Sequence, residues 1–157
     1  MIELDKTTFD LEFDLSDVPR SDRKTALNDV AAYVIEEILN HVGQGKSPVS
    51  GVKDFKKLNE KYADKEKGGD RLANLDLTGS MLDSLTFKRK GETLTIGIFD
   101  EDEAPKSHGH NTGGGNLPKR QFIPDDGKGQ YLKKDILRGI DLIISEYIDN
   151  NSNSEEE

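Results

Sequence analysis

His108 and His110 stand in alternate positions a few residues after the carboxylate run Asp100-Glu101-Asp102-Glu103. Imidazole and carboxylate are metal-ligand types, but two imidazoles make a usable site only when a rigid element holds them and a third donor converges. Here they precede glycines, in a segment over 100–117 that reads as a flexible loop. Gly113, Gly114 and Gly115 lead into no Lys-Ser/Thr pair and open no helix, so phosphate-loop and dinucleotide fingerprints do not apply. Asp125-Asp126-Gly127-Lys128-Gly129 lacks the alternating oxygen ligands and terminal Glu of a calcium loop. The chain has no cysteine and no serine in a Gly-x-Ser-x-Gly elbow. Dispersed carboxylates can pair as acid and base at any sequence spacing, so that chemistry stays open. No motif calls for a metal, a cofactor or an enzyme.

Leu117-Pro118-Lys119-Arg120-Gln121-Phe122-Ile123 offers a different chemistry. Pro118 removes one backbone donor and fixes its own φ. Arg120 and Gln121 are polar, and Phe122 and Ile123 are apolar enough to enter a core or an interface. A glycine-rich entry into a stiff, mixed segment reads as a docking element. Phe122 is then the apolar anchor and Arg120 a polar clamp to a carboxylate, types that dominate interface energy. The alternative is that Phe122 fills the chain's own core; Pro118 shapes the approach in either case.

The elements that must position these residues show in the periodicity. Phe9, Leu11, Phe13 and Leu15 alternate with Asp10, Glu12 and Asp14, the pattern of a half-buried strand. Asp10, Glu12 and Asp14 then form an acidic stripe, either a solvated strand face or the lining of a passage along which DNA slides without sticking. Ser16-Asp17-Val18-Pro19 resembles a helix entry, with Ser or Asp as cap and Pro19 in the first turn. Leu27, Val30, Ala31, Val34, Ile35, Ile38, Leu39 and Val42 share one helix face that ends at Gly43. His41 lies near that end, where an imidazolium suits the macrodipole. Residues 44–74 lose this regularity and read as an arm. It opens with loop chemistry, and Phe55, Leu58 and Tyr62 mark a short lysine-rich helix whose charge is solvated or touches an acidic partner. Thr78-Gly79 introduces a helical turn. Leu85–Arg89 and Thr93–Phe99 form a hairpin through Lys90-Gly91. Leu132, Ile136, Leu137, Ile140, Ile143, Ile144, Tyr147 and Ile148 mark a second amphipathic helix over about 130–149, and the acidic tail 150–157 has nothing to bury and reads as disordered. These elements predict a single α+β domain over 1–149, a small antiparallel sheet of three to four strands packed by two long amphipathic helices, with extended loops and arms.

Composition bounds the function. At 157 residues the chain fits one domain. Leu, Ile, Val and Phe make up about a quarter of it, above the roughly one fifth at which disorder becomes the default. Charged residues reach 34% and mean hydropathy is −0.74, so the expected core is small and some apolar burial falls to neighbouring subunits. A net charge of −9 argues against a general nucleic-acid binder, which needs concentrated Lys and Arg. No apolar run approaches a membrane span. The first ten residues carry no secretory signal pattern, so assembly in a cytoplasm is expected.

His110, Asn111, Gly113, Pro118, Arg120, Phe122 and Ile123 spell a His-Asn pair, a glycine and a Pro-x-Arg-x-Phe-hydrophobic run before the last helix. That pattern resembles the virion-morphogenesis and tail-completion proteins of tailed phages, their small neck and head–tail joining components. Upstream, Leu75 to Leu85, with Thr78-Gly79 at its centre, resembles the same family's Leu-x-x-Thr-Gly-x-Leu-x-x-Ser-hydrophobic segment. Together the two pieces cover roughly the second half of the chain. The resemblance implies an α+β subunit forming a ring, six-fold or twelve-fold, around the DNA path at the head–tail junction. It implies portal or connector proteins on one side, tail-tube or terminator proteins on the other, and DNA passing without specific binding. Docking would fall to His110, Asn111, Pro118, Arg120, Phe122, Ile123, Thr78 and Gly79. Neck adaptor, tail terminator and tail-completion factor share these features. The competing reading is a non-viral ligand- or metal-binding regulatory module using the His108–Gly115 loop.

Overall fold

A computed structural model describes residues 7–55, 80–112, 120–125 and 129–155. The chain runs β1 (Thr7–Glu12), α1 (Arg20–Gly43), α2 (Ser80–Asp83), β2 (Leu85–Lys90), β3 (Thr93–Ile98), α3 (Ala104–Thr112) and α4 (Lys134–Glu155). The result is a small α+β fold. Its three strands lie in the order β1-β3-β2, each pair antiparallel. A tight turn at Gly91, with φ of 60°, makes β2 and β3 neighbours as the hairpin pattern predicts.

Register follows the alternation of side chains. Phe9, Ile96 and Phe87 form one cross-strand row and Thr7, Ile98 and Leu85 another, on the face turned to the helices. The opposite face carries Asp10, Thr95 and Lys88 in one row and Glu12, Thr93 and Lys90 in the next. A one-residue slip would exchange the two faces, so the buried row fixes the register. At Gly97 the strands meet so closely that a Cβ would collide with the Thr7 carbonyl oxygen and come within 2.6 Å of Thr8 Cα. Only glycine fits between β1 and β3 there.

Helix α1 buries Ala26, Leu27, Val30, Ala31, Val34, Ile38 and Val42, the three- and four-residue stripe that its sequence predicts. Its start differs from expectation. Pro19 is the capping residue, and no side chain caps the first turn. The loop before it is secured otherwise: Ser16 N donates to Asp14 Oδ1 at 3.0 Å and Arg23 Nε to Val18 O at 3.0 Å. The helix closes through Gly45, φ 72°, whose N–H reaches Val42 O at 2.9 Å while Lys46 N reaches His41 O at 2.9 Å. A left-handed residue just past the last turn satisfies orphan carbonyls in this way.

Helix α4 packs along α1. The Tyr33 ring lies over Gly139, where a side chain would displace it, and Tyr147 OH donates to Asp29. That hydrogen bond, followed by desolvation, pushes the Tyr147 pKa up to about 12. Ile136 and Ile140 enter the common core with Phe9, Leu94, Ile96 and Ile38.

Two expectations are corrected here. Residues 44–55 do not form an arm: Ser47, Pro48, Val49 and Phe55 are buried, Val49 bridges to Leu132, and Phe55 N donates to Gly45 O at 2.8 Å. Their apolar members find the core, and their backbone pairs in return, with Ser50 N donating to Tyr131 O at 2.8 Å and Pro48 O accepting from Lys133 N at 2.9 Å. The remainder of the expected arm, with Leu58 and Tyr62, lies outside the described residues. Over 150–155 the tail is helical rather than disordered, since α4 continues to Glu155; the last two residues lie outside the described ones. Neither Gly nor Pro follows Ile148, so nothing interrupts the hydrogen-bond ladder.

Gly97→Ala should therefore lower stability by about 2 kcal/mol or more, because a backbone carbonyl cannot step aside as a flexible side chain can. Gly43→Ala, with nothing within 4 Å of the added Cβ, should be nearly neutral. Urea denaturation of the two variants checks the contrast.

Candidate functional site

The segment read as a flexible loop over 100–117 contains α3. Asp100 organises its entry: Oδ1 accepts from Asp102 N at 2.8 Å and Glu103 N at 3.2 Å, and its carbonyl accepts from Ala104 N at 2.8 Å. A carboxylate at a helix N-terminus caps donors and complements the dipole. Pro105 follows in the first turn, where its missing N–H costs nothing. Local composition suggested a loop because Gly109 and two histidines are weak helix formers. Capping and packing overrule that preference.

Ser107 and Asn111, four residues apart, lie on one face of α3. Ser107 is fully buried, and its hydroxyl lies 2.8 Å from Thr7 Oγ1 of β1 and donates to Ala104 O. Asn111 is also buried. Its Oδ1 accepts from Phe122 N at 2.8 Å and Ile123 N at 2.9 Å, while Nδ2 donates to Ile123 O at 3.0 Å. One amide thus satisfies three backbone groups, as a neighbouring strand would. Arg120 N adds a bond to His110 O at 2.7 Å, so α3 and 120–123 are tied at consecutive points.

Gln121 carries the connection further. Its carbonyl accepts from Ser47 Oγ at 2.5 Å, and Ser47 Oγ accepts in turn from Val49 N at 3.1 Å. Gln121 Nε2 donates to Ile123 O at 3.1 Å and to Gln130 Oε1, which also accepts from Asp125 N at 3.0 Å. Loops 45–55 and 129–133 therefore converge on 120–125, the segment tied to the end of α3. Ser47, Gln121 and Gln130 are the residues sequence reasoning missed as site members. Ser47 carried one local signal, a hydroxyl two residues before the amide it accepts from; Gln130 carried none.

The arrangement corrects the docking assignment for Phe122 and Ile123. Both lie in the core of their own chain, at 0% and 1% exposure, because the Asn111 amide draws their backbone inward. Asn111 and Arg120 are buried as well, Arg120 at 7%. His110 is half-buried, and its pKa is held below the usual histidine value by desolvation and, second, by the Arg120 charge. His108 and His110 lie on α3 rather than in a loop, and no group of three His, Cys, Asp or Glu side chains poised for a metal occurs among the described residues. Pro118, Thr78 and Gly79, with Gly113, lie outside the described residues. Asp10, Glu12 and Asp14 are all exposed. Thr95 Oγ1 donates to Asp10 Oδ1 at 2.6 Å, and the Ser16 hydrogen bonds lower the Asp14 pKa. Chemically, the buried side chains grip backbone, and the exposed ones present charge. Among the described residues, no helix is long and apolar enough to cross a membrane.

No family model, curated protein or solved structure matches the chain.

Asn111→Ala leaves two buried N–H groups without an acceptor, and should cost about 2–4 kcal/mol. Amide hydrogen exchange should accelerate at Phe122 and Ile123 well before it does in α1. A second outcome concerns pH. The folded pKa of His110 lies below its ordinary value of 6.5, so the unfolded chain binds the proton more readily, and stability falls as pH drops below about 6.5. Melting temperatures at neutral and mildly acidic pH should fall more steeply for the native chain than for His110→Gln.

Proposed function

We propose that this chain is a structural protein of a tailed-phage virion at the head–tail junction. In this reading it assembles into a ring that joins tail to head and lets DNA pass. The observation that carries the proposal is that Asn111, from one end of the His-Asn to Phe-Ile pattern, grips the Phe122-Ile123 backbone at the other. Among the described residues, His110, Asn111, Arg120, Phe122 and Ile123 of that pattern form one physical device, which gives their spacing a reason to exist. A short apolar pair is held in the core by an upstream amide at this distance.

The exposed carboxylates of Asp10, Glu12 and Asp14 suit a surface facing DNA in transit, since like charge prevents adhesion. Portal or connector proteins would contact one side of the ring and tail-tube or terminator proteins the other.

The test is a phage from which the gene for this chain is removed, its lysate imaged by electron microscopy. DNA-filled heads beside unattached tails, or tails of uncontrolled length, are the expected outcome. Fully joined virions of normal infectivity would overturn the proposal.

A further inference from the structure

We propose that copies of this chain associate edge to edge, with β2 of one copy adding to β1 of the next along the groove beside β1. The proposal rests on the ring reading above and names the contact that builds it.

The two edges of the sheet carry opposite charge. On the face turned away from the helices, β1 presents Asp10 and Glu12 in register with Lys88 and Lys90 of β2, with Thr95 and Thr93 of β3 between them. All four charged side chains are exposed, as is Arg89. Within one copy, acid and base are two strand spacings apart, about 9–10 Å. If β2 lies beside β1 of a second copy in the parallel sense the two strands already have within one sheet, one spacing of about 4.8 Å separates them, the distance at which opposite cross-strand charges attract. Two of the four are ordered within each copy. Thr95 holds Asp10, and Lys88 Nζ sits 4.4 Å from the centre of the Phe99 ring.

Backbone and apolar groups agree with the charges. Phe13 N donates to Glu92 O at 3.2 Å, which marks residues 13 and 92 as a hydrogen-bonded pair. By antiparallel alternation, Thr8, Asp10 and Glu12 then direct their peptide groups away from β3. On that side lies a groove of about 470 Å³, bounded by Phe9 to Glu12 on one wall and by Pro124, Gly129 to Leu132 and Leu137 on the other. In β2 the two-residue turn makes Lys90 and Thr93 the hydrogen-bonded pair, so Leu85, Phe87 and Arg89 direct theirs outward. Phe87, half-buried at the sheet margin, would meet Leu11, Leu132 and Leu137 in the neighbour's groove. Tyr131, 68% exposed at the groove, would be covered.

Like edges repel, acid against acid or lysine against lysine, so the contact is heterologous and its repetition closes into a ring when the rotation fits.

Charge exchange tests this directly. One variant carries Asp10→Lys and Glu12→Lys, a second Lys88→Glu and Lys90→Glu, and a third all four. Light scattering gives the mass of each, and circular dichroism checks the fold. The native chain should assemble, less so at high salt, and each double variant alone should require at least tenfold higher concentration. An equimolar mixture of the two double variants, and the quadruple variant, should recover assembly. Should a reversal prevent folding, the neutral Asp10→Asn/Glu12→Gln pair should still show weakened assembly. Double variants that assemble as the native chain does, or a mixture that fails to recover, would overturn the edge contact while leaving a ring built on other surfaces. A native chain that stays monomeric at high concentration would overturn the contact and the ring together.

Discussion

The structure turns on one buried amide. Asn111 supplies an acceptor to two backbone N–H groups and a donor to one carbonyl. The segment it holds places Phe122, the largest fully buried side chain among the described residues, in the core. A turn carried so deep leaves peptide groups with no ladder of their own, and each one unmatched costs about 1–3 kcal/mol. A side chain that mimics a strand edge removes that cost at a single position. Gln121, Ser47 and Gln130 extend the same solution to the flanking loops. A network of this kind is stable only when nearly complete, so these loops are cooperative with the core.

What the sequence disclosed was local, and what it concealed was long-range. The strand at Phe9 to Leu11, the α1 stripe and the hairpin were legible because their periods lie within a few residues. Helix α3 was not, since its support comes from the Asp100 cap and from contacts of Ser107 and Asn111 with distant strands and loops. Asn111, Arg120 and Phe122 were singled out for docking, with the inward alternative left open for Phe122, and all three lie buried in the chain. An aromatic beside polar residues reads equally as an outward anchor or an inward plug, and the partner that decides it stands 11 residues away. The loop at 45–55 misled for a related reason. Its glycines and serines resemble solvent-exposed chain, while the Ser47 hydroxyl and the Pro48 carbonyl are matched by Gln121 and Lys133, more than 70 residues distant.

The sheet divides its work between faces and edges. One face supplies Phe9, Leu94, Ile96 and Ile98 to the core, and tolerates no shift of register. The other carries the acidic stripe and its basic counterpart on opposite margins. A net charge of −9 makes self-association costly at long range, so in the proposed edge contact attraction between copies would have to come from local complementarity. Lysines concentrated on β2 would provide that within an acidic chain.

The buried latch and the open edge are mechanically continuous, which resolves an apparent contradiction. Residues expected at an interface proved internal, yet both walls of the groove beside β1 depend on them. One wall is β1, held to α3 through Ser107 and Thr7, on the helix face that also carries Asn111. The other wall begins at Pro124, next to Ile123, and continues through Gln130, bound to Gln121. Asn111, by joining α3 to the 120–123 segment, therefore links the elements that carry the two walls. A motif can govern assembly without touching a partner when it fixes the separation of two surfaces that do. Tight packing transmits such constraints with little loss, so a pattern centred on an internal amide is compatible with a role in building a ring.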